Sequence, residues 1–261
     1  MHRLIDTQTR LLRHLTSHAF IFGTRDLGSP GLEPDLQGMD IRRLRLEAEF
    51  SYHKRMNRIR KTFERTATLL GHAFAGLTGD FAAVCPPRSY ERYPDAKSFF
   101  EHFLKRSAQD PPKPAWAVDV AGIELALAQA RTLRPTAMES EALAARPQPS
   151  ADFWYRTHPC AVLVRCAHDV RPLFEPGRSG APVAPRPVWL AVLATRGRRQ
   201  PTVLELAPET FALLEHSTAW SPLASEQAGP DGNTRVSLVR QLATQGLVLV
   251  GGNDLRDERH G

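Results

Sequence analysis

Cysteine is scarce: Cys85, Cys160 and Cys166 are the only three in 261 residues, too few for a disulfide framework, so they read as reduced thiols acting as small buried hydrophobes. Long apolar runs are missing as well. The most hydrophobic segments, such as Val188 to Ala194 (VWLAVLA), are far shorter than a bilayer span. The opening MHRLIDTQTRLLRHL puts charges where a secretory signal needs an unbroken apolar stretch. The expectation is a cytoplasmic chain with no membrane segment. No GxSxG elbow, P-loop, GxGxxG fingerprint or HExxH helix occurs, so nucleophilic hydrolysis, nucleotide binding and zinc proteolysis lack their mechanical parts. VGGND (Val250 to Asp254) has no helix after it and makes no phosphate cradle.

What is present is ordinary globular composition, 42% hydrophobic and 24% charged, with an excess of basic residues. A net charge of +6 and a pI near 9.6 favour an anionic partner: nucleic acid, an acidic protein face or an acidic peptide.

Apolar spacing is helical through the first half, as in Leu44, Tyr52, Ile59 and Phe63, then Phe99, Phe100, Phe103 and Leu104. Gly71 closes ATLLG as a helix stop, CPPRSYERYPD (Cys85 to Asp95) reads as a loop, and Asp95 is placed to cap the helix AKSFFEHFLKR. A mixed Pro, Ala and polar stretch from Thr132 to Asp152 forms a connection. Beyond it the period falls toward two. Cys160 to His168, Pro187 to Arg196 and Pro201 to Ala207 are strands, the second apolar on both faces and therefore central. The segment Arg171 to Pro187 is a long Pro- and Gly-rich excursion available for contact. Helices follow at Pro208 to Ser217, with Pro at the start, and Thr234 to Gly246, with Gly as stop; LVLV adds a short strand.

The expected fold is therefore α+β: a helical bundle over residues 1–135, a linker over 136–155, a small winged-helix-like domain with a three-stranded antiparallel sheet over 156–252, and a tail over 253–261.

Four features carry potential chemistry. Asp119 and Glu124 lie in an otherwise apolar helix, PAWAVDVAGIELALAQART. Five residues turn about 500° around a helix, so the two acids cannot form a shared acid–base pair, and they read as scaffold tying the bundle together. His158, Cys160, Cys166 and His168 fall on one strand face, but ten residues of strand span roughly 33 Å, so they cannot share one ion and no metal site is expected. The run YHKRMNRIRKTFER (Tyr52 to Arg65) is the strongest basic feature, a solvated helix face or a protein contact, without the interleaved aromatics that base stacking needs. In the third strand, Thr202, Leu204 and Leu206 alternate with Val203, Glu205 and Ala207, and Pro201 suits an edge. Such an edge can accept an extended peptide by main-chain pairing.

Taken together, YHKRMNRIRKTFERTATLLGHAFAGLTGDFAAVCPPRSY, FFEHFL and PAWAVDVAGIELALAQA resemble the N-terminal domain of the partner subunits of multinuclear non-haem iron peptide oxidases, the MbnC, TglI and HvfC-like family. The matching points are Tyr52, Asn57, Phe63, Leu69 to Gly71, Phe74, Phe81, Pro86, Pro87 and the Asp119 and Glu124 helix. FWYRTHPCAVLV and LVRQLATQGLVL resemble the family's second domain. The resemblance implies an accessory subunit that is no enzyme on its own and carries no cofactor. Its partner would be a TIM-barrel oxidase that holds iron and uses dioxygen to modify a cysteine of a ribosomal precursor peptide. This chain would recruit the peptide leader through a domain like a RiPP recognition element. It further implies leader pairing along Thr202, Val203, Leu204 and Glu205, with Val236, Val239 and Arg240 as groove wall.

The oxidase is expected to dock on the helical domain around Pro86, Pro87, Arg88 and Tyr90. The favoured chemistry is β-carbon excision from a C-terminal cysteine in 3-thiaglutamate assembly, with methanobactin-type oxazolone and thioamide formation as the alternative. Two other readings are a winged-helix DNA-binding regulator and a stand-alone enzyme using the His158, Cys160, Cys166 and His168 face.

Overall fold

A computed structural model describes residues 40–87, 91–133, 153–175, 182–194, 201–223 and 232–251, with isolated positions 11, 16, 21, 177 and 180. These residues form a mixed α+β structure of seven helices and two three-stranded antiparallel sheets. The chain divides into two compact units, 1–125 and 126–261. The division falls inside a helix rather than in the connection after residue 135.

The first unit contains α1 (Ile41–Thr62), α2 (Glu64–Leu70), α3 (His72–Val84), α4 (Arg92–Gln109) and most of α5 (Ala117–Thr132). Asp40 starts α1 by accepting hydrogen bonds from the amides of Arg42 (2.9 Å) and Arg43 (3.3 Å), the role for which Asp is favoured at a helix N-cap. The core is aromatic. Phe63, Phe74 and Phe81 surround Phe99 with ring centroids 5.0, 5.5 and 5.4 Å away, and the helical spacing of these residues is what brings them to one face.

Asp95 does not cap α4, contrary to expectation. The helix begins at Arg92, because Pro94 is tolerated in a first turn whose amides have no intrahelical partner. Asp95 instead receives a bidentate bond from Arg55 of α1, with Nε at 3.0 Å and a terminal nitrogen at 2.7 Å. The Arg55 guanidinium also stacks over Phe81, 4.7 Å from the ring centroid.

Glu124 is the buried acid of α5. Its carboxylate accepts from the amides of Arg65 (2.7 Å) and Thr66 (3.1 Å) and from the Thr66 hydroxyl (2.7 Å). Helix α2 follows Phe63, a residue without a capping oxygen, so Glu124 caps α2 from another helix. That is the scaffold role read for it from the sequence.

The second unit opens with the last turns of α5, where Ala126 and Ala130 pack against Val192, Val162, Val164 and Val203. It continues with β1 (Trp154–Thr157), β2 (Ala161–Cys166), a 3-10 turn (Arg171–Phe174), β3 (Val188–Leu193), β4 (Thr202–Leu206), α6 (Pro208–His216), β5 (Ser221–Pro222), α7 (Gly232–Thr244) and β6 (Val248–Gly251). One sheet has the order β2-β3-β4, so the strand that is apolar on both faces is central as expected; the other has the order β5-β1-β6. Alternation divides the first sheet's faces. Leu163, Ala191 and Leu204 are cross-strand neighbours on the face that shares a core with Phe211 and Leu214 of α6 and Val239 and Leu242 of α7. Val162, Val192 and Val203 align on the face covered by Ala126 and Ala130. Gly246 ends α7 with φ +75°, and the amide of Leu247 reaches the Leu242 carbonyl at 2.9 Å. Glycine takes that left-handed turn without the Cβ penalty.

Candidate peptide-binding edge

β4 is built from local signals. Pro201 precedes it and lacks an amide hydrogen, the alternation of Leu204 and Leu206 with Val203 and Glu205 assigns its faces, and Pro208 starts α6 two residues after it ends. It pairs with β3 from Trp189↔Leu206 to Leu193↔Thr202. Among the described residues no strand pairs with its other side. An edge of this kind presents a row of backbone donors and acceptors to whatever lies beside it.

Thr202, Val203, Leu204 and Glu205 therefore lie together on one edge strand. The helix residues named with them distribute differently. Val236 is partly buried and packs against the same core as Leu204, and Arg240 is exposed. Val239, expected in the groove wall, is instead 0% exposed and enclosed by the unit's own core. Helix α7 packs chiefly on β6, which is why its central valine is covered. Of the residues expected at the partner contact, Pro86 and Pro87 are exposed just beyond α3, while Arg88 and Tyr90 lie outside the described residues.

The strand is braced by a ring of four charges that the sequence reading missed. Arg171 binds Asp169 through Nε (2.7 Å) and a terminal nitrogen (2.6 Å), and its other terminal nitrogen binds Glu205 at 2.6 Å. Arg186 binds Asp169 at 2.6 Å and Glu205 at 2.7 Å. Both ends of the long excursion, Arg171 and Arg186, are thus tied to the edge strand, and the backbone bridge Asp169↔Ala184 closes its base. Two guanidinium groups and two carboxylates cancel in charge, so the ring orders the edge more than it attracts an anion. The Asp-x-Arg spacing at Asp169 and Arg171 was its only local sign.

Hydrogen bonding from Arg171, then Arg186, holds the Asp169 carboxyl far below the usual carboxylate range. Arg186 is the first cause of the lowered pKa of Glu205. Because the folded state depresses these values, the ring's stabilisation is present above an unfolded carboxylate value of about 4 and is lost as pH falls through the lower folded values. Asp169→Asn is expected to cost about 1–2 kcal/mol at pH 7, a figure reduced by the half-exposed position of Arg186. Urea midpoints of the two proteins should converge as the pH is taken below 3; a gap that stays constant with pH would remove the electrostatic explanation.

His158, Cys160, Cys166 and His168 do not share a strand face. β1 ends at Thr157 and β2 starts at Ala161, with a turn between them in which the Cys160 amide donates to His158 Nδ1 at 2.9 Å. The proline at position 159 breaks the ladder there. No cluster of three or more His, Cys, Asp or Glu suited to a metal occurs among the described residues, and no described helix is long and apolar enough to cross a membrane.

The fold and the edge define an α+β protein in which a helical unit is joined to a mixed unit whose β4 has one side unpaired among the described residues. Comparison with protein-family models and with curated proteins finds no match.

Proposed function

We propose that this chain is the non-catalytic partner subunit of a TIM-barrel multinuclear iron oxidase and presents the leader of a ribosomal precursor peptide to it. In this reading the second unit acts as a winged-helix-like recognition domain of the RiPP type. The leader adds as a strand to Thr202–Glu205 beside β4, and Val236 and Arg240 supply side-chain contacts. Iron belongs to the oxidase, and the favoured outcome is excision of the β-carbon from a C-terminal cysteine. The observation that carries the reading is the side of β4 that no strand pairs with among the described residues, on a strand braced by the charge ring. The family resemblance of both halves of the sequence supports it.

The regulator reading has less support. The basic residues concentrate on α1 of the helical unit, whereas α7 has Arg235 and Arg240 as its only cations, few for phosphate contacts and base reading.

Co-expression with the iron oxidase, followed by size exclusion and metal analysis, is expected to give one complex. Hydrogen exchange with the leader peptide added should then protect the amides of Thr202 to Glu205, and Val203→Pro should weaken leader binding at least about tenfold. Separate elution, or unchanged leader affinity in Val203→Pro, overturns the reading. Retardation of duplex DNA by the chain alone with steep salt dependence would put the regulator in its place.

A further inference from the structure

Helix α1 holds eight Lys and Arg against two Glu, an excess of six positive charges that equals the +6 of the whole chain. One of these cations, Arg55, is consumed inside the unit by Asp95. Arg42, Arg43, Lys54, Arg60 and Lys61 are exposed, and among the described residues no carboxylate pairs with them. In the middle of this basic surface stand Leu46 and Phe50, each 66% exposed. They are four residues apart and therefore adjacent on one helix face. The opposite face of α1 is spent on packing, with Ile59 buried in the aromatic core and Ala48 buried against Ile21. Arg43, Leu46, Glu47, Phe50, Lys54 and Lys61 thus form one outward stripe with a large apolar pair at its centre and cations toward both ends. Glu47 is its single acid.

A large exposed apolar pair ringed by charge is the pattern of an interface centre with a polar rim. The charge identifies the occupant. A second copy of this chain would set cations against cations. A membrane surface would need an apolar face longer than one helical turn, and here Ser51, His53 and Asn57 interrupt it. Nucleic acid would engage the cations but leave Leu46 and Phe50 unburied.

We infer that the exposed stripe of α1 docks a protein surface in which an apolar pocket is rimmed by carboxylates, and that this surface belongs to the partner subunit. The inference rests on the proposed two-subunit function and adds to it a docking face separate from the Pro86 region. Leu46 and Phe50 fill the pocket, and the flanking cations pair with the rim and speed association.

The test measures binding of the full chain to the separately purified, iron-loaded oxidase, using wild type, Leu46→Asp/Phe50→Asp and Lys54→Glu/Lys61→Glu. Because all four side chains are exposed, both variants should keep the wild-type circular dichroism and melting temperature. Each is expected to bind at least about thirtyfold more weakly, and wild-type affinity should fall with added salt. Undiminished binding by both variants overturns this face and leaves the two-subunit reading standing. Failure of the wild type to bind overturns that reading and the face with it. Binding of phosphatidylserine vesicles or duplex DNA that both variants lose, while they still bind the oxidase normally, also overturns it and reassigns the stripe to an anionic polymer or surface.

Discussion

Phe99→Ala is expected to lower the unfolding free energy of the helical unit by about 3–5 kcal/mol, the range for deleting a fully buried aromatic side chain. Phe99 is completely buried and touches the rings of Phe63, Phe74 and Phe81. Removing it leaves three rings facing a cavity as well as losing its own transfer free energy. The chain has two compact units, so the measurement is calorimetry with the transitions resolved. The transition of the helical unit should fall by roughly 10 °C or more, while that of the mixed unit stays in place. Phe99→Leu, which refills much of the volume, should recover part of the loss. A shift below about 2 °C would show that the aromatic cluster is not the centre of the bundle.

Glu124→Ala is expected to cost about 2–4 kcal/mol, because it strands two backbone amides and a threonine hydroxyl in a site where the acid itself is only 6% exposed. Glu124→Gln keeps one acceptor oxygen and should cost about half as much. Burial is the leading cause of a carboxyl pKa raised above the ordinary glutamate value; the hydrogen bonds from Thr66 and Arg65 oppose it. The folded protein therefore holds this proton to higher pH than the unfolded chain does. Its contribution is fully present below an unfolded value of about 4.3 and declines as pH rises through the raised folded value. The stability difference between wild type and Glu124→Gln, from urea midpoints, should be larger at pH 4 than at pH 7. The opposite slope would mean that the three donors outweigh burial and the carboxylate is the preferred form. Glu124→Ala should leave partner and leader binding intact once folded, since the acid faces no surface.

Much of this architecture is legible in the residues themselves. The helices of the first unit follow from apolar spacing near 3.6, the central position of β3 from an apolar run with no polar face, and the edge position of β4 from Pro201 and strict alternation. The starts and stops at Pro208 and Gly246 are local chemistry. The second sheet was not legible, because β1 is only four residues long and finds its partners at Ser221 and Pro222 and at Val248 to Gly251, far along the chain. The placement of Val239 was equally out of reach. Its spacing marks an apolar face, but whether that face meets a peptide or the unit's own β6 depends on packing.

The same division runs through the candidate sites. By itself the sequence determined that this is a chain of helices followed by strands, without a catalytic signature, with its positive charge gathered on one helix and an edge strand near its C-terminal half. Only the tertiary structure decided that Glu124 caps a helix 58 residues away in sequence, that Asp95 pairs with Arg55 instead of capping its own helix, and that Glu205 closes a ring with Asp169, Arg171 and Arg186. The physical reason is range. Periodicity and capping act within a few residues and are written locally, whereas a buried carboxylate takes whichever donors the folded chain brings within hydrogen-bond distance, and that depends on every element packed around it.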